Sequence, residues 1–67
     1  MVFKIEMDQE ADGRWIAEIP EIPGVLAYGS TMEDARNKIQ ALALRVVADK
    51  IEHGESDGLL DVSFSAA

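Results

Sequence analysis

Two prolines three residues apart, followed at once by a glycine, divide this chain. They lie in the stretch Glu18 to Ala35, which reads as a strand end, a turn, a short strand and a helix start in succession. Pro20 and Pro23 push Ile19 and Ile22 into extended conformation, and neither ring nitrogen can donate to a sheet ladder. A strand therefore stops near Pro20. Pro23-Gly24 sets a fixed φ ahead of a residue free to take positive φ, the requirement of a type II turn. Val25 to Tyr28 is predicted to form a short strand that Gly29 ends. Thr31 then offers a hydroxyl as N-cap, with Glu33 and Asp34 in a first turn whose dipole favours carboxylates.

Around this stretch the periodicities are simple. Val2 to Asp8 alternates, with Phe3, Ile5 and Met7 on one side and Lys4, Glu6 and Asp8 on the other, as in a half-buried strand. Asp12-Gly13 marks a hairpin with a loop from Gln9 to Gly13. The next strand, Arg14 to Pro20, turns Trp15, Ala17 and Ile19 inward; Ile16 reads as an incidental apolar residue on the polar face. Leu60 to Ser65 alternates again, with Leu60, Val62 and Phe64 inward.

The helix is predicted from Met32 to His53, with Gly54 as terminator. At 3.6 residues per turn, Ala35, Ile39, Leu42 and Val46 form one stripe, flanked by Met32 and Ala43, that would face the sheet. Lys38, Arg45, Asp49 and Glu52 share a solvent side, and Asp34 stands four residues before Lys38 as a supporting pair. A second apolar arc carries Ala41, Leu44, Val47, Ala48 and Ile51. A helix of this length spans about 33 Å against about 23 Å for a seven-residue strand, so its last turns should overhang the sheet. The arc is read as a subunit or partner contact through Leu44, Val47, Ala48 and Ile51. The alternative is that the closing loop, residues 55–59, folds over it. A strand after such a helix returns most economically parallel to an earlier one. The expected fold is α+β, β-β-β-α-β: a three-stranded antiparallel meander, a fourth strand parallel to the first, and one long helix on one face.

Sixty-seven residues, read as a single domain over 1–67, bury only about 60% of their unfolded surface. There is no cysteine to staple the fold, which leaves good packing or oligomerisation. The first residues mix charge from Lys4 onward, unlike a signal peptide or membrane span, so a cytoplasmic location is expected. The net charge of −7 is uneven: residues 1–30 hold six acids against Lys4 and Arg14, whereas residues 31–53 are balanced. That distribution argues against phosphate or nucleic-acid binding and for a basic partner.

Catalysis finds little support. His53 is the lone imidazole, with no Cys or Asp/Glu cluster at metal spacing, and reads as a helix-end residue. A two-metal nuclease of ribonuclease H type would need carboxylates from the first strand, the helix and the last strand. Glu6 or Asp8, Glu33 or Asp34, and Asp61 occupy those elements. Asp61 alternates outward, however, and Glu33 and Asp34 are explained by capping. No metal, cofactor or enzymatic activity is expected.

Asp12-Gly13-Arg14-Trp15, Ala17-Glu18-Ile19-Pro20, Ile22-Pro23-Gly24 and Gly29-Ser30-Thr31 followed by Glu33-Asp34-Ala35 together resemble the central signature of the HicB-type antitoxin family. The resemblance implies a partial ribonuclease H-like fold that binds a partner without nuclease activity. Antitoxins of that family neutralise a small basic toxin, HicA-like, of double-stranded-RNA-binding fold that cleaves messenger RNA. Many also carry a C-terminal DNA-binding domain, which is not expected here. Val25 and Ser30 stand where the family often has Cys and Asp. The expected partner contacts are Glu18, Glu21 and Tyr28 around the Pro-Gly edge, with Glu6 and Asp8 as acidic support, in a dimer or higher homo-oligomer. The second reading is a solitary oligomeric scaffold or small-ligand regulatory domain without a toxin.

Overall fold

The computed structural model describes residues 2–54 and 61–66. Strands β1 (Val2–Gln9), β2 (Trp15–Glu18) and β3 (Leu26–Gly29) precede helix α1 (Met32–Glu52), and β4 (Ser63–Ala66) follows it. The sheet order is β3-β2-β1-β4: β1 pairs antiparallel with β2 and parallel with β4, and β2 pairs antiparallel with β3. This is the expected α+β arrangement. β2 and β4 are shorter than the alternating runs that contain them. Ile19, though outside the ladder of β2, is fully buried, and its N–H reaches the Val25 carbonyl (3.2 Å). The closing loop and Leu60 lie outside the described residues.

The Pro-Gly turn has the expected form. Gly24 takes φ +82°, and Val25 N–H donates to the Ile22 carbonyl (3.2 Å), closing a type II turn with Pro23 at its second position. One turn earlier, Ile22 N–H donates to the Ile19 carbonyl (3.0 Å). The two tight turns bury Ile19, Ile22 and Val25 side by side. Helix α1 ends at His53, whose N–H and Nδ1 both donate to the Asp49 carbonyl (3.1 and 2.8 Å), and Gly54 follows at φ +67°.

The helix start is locked reciprocally. Asp34 N–H donates to Thr31 Oγ1 (3.0 Å), while Asp34 Oδ2 accepts from Ser30 N–H (3.1 Å) and from Lys38 Nζ (3.0 Å). This is a capping box shifted by one residue, since the carboxylate reaches the residue before the cap. The Lys38 ammonium first, and the Ser30 N–H second, hold the Asp34 carboxyl below the ordinary aspartate range. Thr31→Ala is expected to destabilise the domain by about 1 kcal/mol in denaturant melts. Asp34→Asn should also destabilise, with a distinct pH signature. A lowered folded pKa contributes stability that is complete above the ordinary value of 3.8 and fades as pH falls through the folded value. Wild-type and Asp34→Asn melting curves should therefore differ at neutral pH and converge in acid; a pH-independent gap would disprove the linkage.

The core lies between α1 and one face of the sheet: Phe3, Ile5, Ala17, Ile19, Ile22, Val25, Ala35, Ile39, Ala43 and Val47, with no buried polar side chain among the described residues. Phe64 of β4 stacks beside Phe3 at 6.0 Å between centroids, tilted by 36°. The helix is rotated relative to the expected stripe. Its buried line is Ala35, Ile39, Ala43 and Val47, at a strict four-residue spacing, whereas Leu42 and Val46 are only half-buried and Met32 is exposed. Small Ala35 and Ala43 therefore sit closest to the sheet, which brings the helix near and moves the larger side chains to its flank. Val47, read as part of the outer arc, belongs to this core. From Ala48 to Glu52 every residue is exposed, consistent with the expected overhang.

Candidate interaction face

The helix covers one face of the sheet and leaves the other open. Strand alternation places Lys4, Glu6 and Asp8 of β1, Ile16 and Glu18 of β2, and Leu26 and Tyr28 of β3 on the open side. The pairing register puts these residues in two rows. In one, Glu6 faces Glu18, which faces Leu26; in the next, Asp8 faces Ile16, which faces Tyr28. Glu6 and Glu18 are like charges directly opposite each other, an arrangement that disfavours strand pairing. Glu6, Met7, Asp8, Ile16 and Glu18 line a shallow hollow of about 60 Å³.

Beside the acids lies an apolar strip. Ile16 is half-buried, and Leu26 and Tyr28 are 43% and 40% exposed. The Arg14 guanidinium covers the Tyr28 ring, 4.8 Å from its centroid, a geometry that draws a cation to the ring's negative face. Asp12 fixes that arginine: Oδ1 accepts from Arg14 N–H (3.0 Å) and Oδ2 from Nε (2.8 Å). Those two hydrogen bonds, the backbone one first, lower the Asp12 pKa. The single cation at this end of the face is thus already paired.

Of the five residues expected to meet a partner, the structure brings Glu6, Asp8, Glu18 and Tyr28 onto one surface. Glu21 also carries a contact within the domain. Its Oε2 accepts from Lys4 N–H (2.9 Å), satisfying β1 backbone where Pro20 ends the pairing with β2. It acts as a strand cap. Leu26 and Arg14 were not singled out from the sequence, and Ile16 was read there as an incidental apolar residue on the polar face. The available signal was the alternation Leu26-Ala27-Tyr28-Gly29, in which the small residues face the helix and the large ones face out. Asp34 lies on the helix side of the sheet, opposite Glu6 and Asp8, so the ribonuclease H-type carboxylate set is split between two faces. Among the described residues no group of three or more His, Cys, Asp or Glu could hold a metal ion, and no helix is long and apolar enough to cross a membrane.

A comparison with family models matches residues 4–54 to the family described as UPF0150-like. The match takes in the hairpin, the Pro-Gly turn, β3, the cap and the whole of α1. The chain belongs to this HicB-like antitoxin family. No curated protein and no solved structure matches it. In this HicB-like domain the signature residues are chiefly architectural: Asp12-Gly13-Arg14 builds the hairpin turn, Ile22-Pro23-Gly24 the type II turn, and Gly29-Ser30-Thr31 with Asp34 the junction of β3 with α1.

Proposed function

We propose that this HicB-like domain is an antitoxin-type module that neutralises a small basic, RNA-cleaving toxin of HicA type by covering it, and that the open sheet face supplies the contact. The observation that carries the reading is the pairing of Glu6 with Glu18 across β1 and β2, with Asp8 beside them. Two facing carboxylates oppose folding of the free domain. Lys or Arg side chains set between them remove the repulsion, so complex formation gains both the new ion pairs and the relief. Leu26, Ile16 and Tyr28 add the apolar area that charge alone does not provide. Family membership favours a HicA-type partner, which would act in the cytoplasm where messenger RNA is available.

The test is the affinity of the domain for a purified HicA-type toxin at low and moderate salt. Glu6→Gln with Glu18→Gln is expected to weaken binding about tenfold or more and to flatten its salt dependence. The same pair should raise the melting temperature of the free domain slightly. Unchanged affinity would remove this face from the contact. Glu21 is unsuitable as a probe, because its substitution also frees the Lys4 N–H.

A further inference from the structure

With Val47 assigned to the core, the exposed apolar residues of α1 beyond Met32 in its first turn are Ala41, Leu44, Ala48 and Ile51; Leu44 and Ile51 are 49% and 51% exposed. Their spacing of three, four and three residues is that of a coiled-coil seam. It differs from the four-residue spacing of the buried line, and at about 100° per residue the two stripes lie about 140° apart around the helix. One side of the helix is thus built for the sheet and another for a second helix.

We infer that α1 pairs with the α1 of a second copy of this chain in antiparallel orientation, with Leu44 of each protomer against Ala48 of its partner and Ala41 against Ile51. Packing chooses the orientation. A parallel pair would stack alanine on alanine and leucine on leucine, leaving gaps beside bulges. The antiparallel pair sets a small residue against a large one in all four layers, as close packing requires. Charge chooses the partner. Lys38, Arg45 and Glu52 recur at seven-residue intervals along one border of the seam, and all three are exposed. In this register Lys38, already joined to Asp34 (3.0 Å), lies beside Glu52 of the opposite protomer at both ends. A basic toxin fits the acidic open sheet face and not a border bearing two cations and one carboxylate. The seam is short, so the dimer is weak and concentration-dependent, in the class of interfaces that bury less than about 1,200 Å². Both open sheet faces remain accessible in it.

Sedimentation equilibrium over about 5 to 500 µM, the range in which so small an interface titrates, should show a reversible monomer–dimer equilibrium. Leu44→Glu should weaken it at least about a hundredfold, because a carboxylate then enters the seam. Ala48→Glu should do the same, and both variants should keep the wild-type melting curve, since neither residue touches the core. Arg45→Gln should tighten the dimer about two- to fivefold, because only this register brings the two Arg45 side chains together. Orientation is read by cross-linking, as the chain has no cysteine of its own. Ala41→Cys mixed with Ile51→Cys should form a mixed disulfide. Ala41→Cys alone should not, its two sulfurs being held about 15 Å apart along the axis. A monomer throughout the range, a dimer untouched by both glutamate substitutions, or self-cross-linking of Ala41→Cys would each overturn the inference. None of these results bears on toxin binding by the sheet face.

Discussion

Gly29→Ala is expected to unfold the domain or to lower its melting temperature by at least about 12 °C, the equivalent of about 3 kcal/mol in a domain of this size. A Cβ placed on Gly29 would lie 2.8 Å from Ala35 Cα and 2.9 Å from the Asp34 carbonyl carbon, and nearer still to Ala35 N. All three are backbone atoms of the first helical turn, so no side chain can rotate away. The helix would have to lift from β3 at the point where Thr31 and Asp34 tie it down, breaking cap and core together. A single small domain of this length has only about 3–5 kcal/mol in reserve. Circular dichroism with a thermal ramp checks the expectation. Melting within about 2 °C of wild type, a shift worth well under 1 kcal/mol, would mean that β3 and α1 are not in backbone contact.

Ile39→Ala should be nearly as damaging, at about 2–5 kcal/mol, whereas Leu44→Ala, one and a half turns further along the same helix, should stay within about 0.5 kcal/mol in dilute solution. Ile39 and Ile19 are the two largest fully buried side chains and belong to the same core cluster. Truncating Ile39 leaves a void between helix and sheet that rigid neighbours cannot fill. Leu44 faces outward at 49% exposure and loses little. Urea unfolding of the two variants at low micromolar concentration separates the outcomes; equal losses would contradict the placement of Ile39 in the core and of Leu44 outside it.

The strands, the turn and both helix ends were legible in the chain because local chemistry determines them. Pro23 before Gly24 permits one turn type, Thr31 before Asp34 is a cap, and Gly54 is a stop. The fold class followed, since a helix that covers one face can only return its last strand beside β1 or beyond β3. Glu6, Asp8 and Glu18 were likewise legible as outward residues from alternation alone. The helix rotation was not. Winding at 3.6 residues per turn favours Leu42 and Val46 for the core and leaves Val47 in the outer arc. The choice among them was made by the close approach of Ala35 to Gly29, which no periodicity records.

Glu21 shows the same limit from another side. Its charge and its place beside the Pro-Gly turn suggested a partner contact. Its hydrogen bond within the domain is made to a backbone N–H of Lys4, 17 residues away, that only the folded sheet brings within 2.9 Å. The facing of Glu6 and Glu18 also belongs to the register of β1 on β2, set by the length of the hairpin loop and by the inward packing of Ile5, Ala17 and Ile19. Sequence by itself determined the elements, their order and the family, because each rests on dihedral preference, capping or spacing within a few residues. Tertiary structure decided which helix stripe is core, which carboxylates confront one another and which glutamate is already occupied, because those outcomes depend on distances between residues remote in the chain.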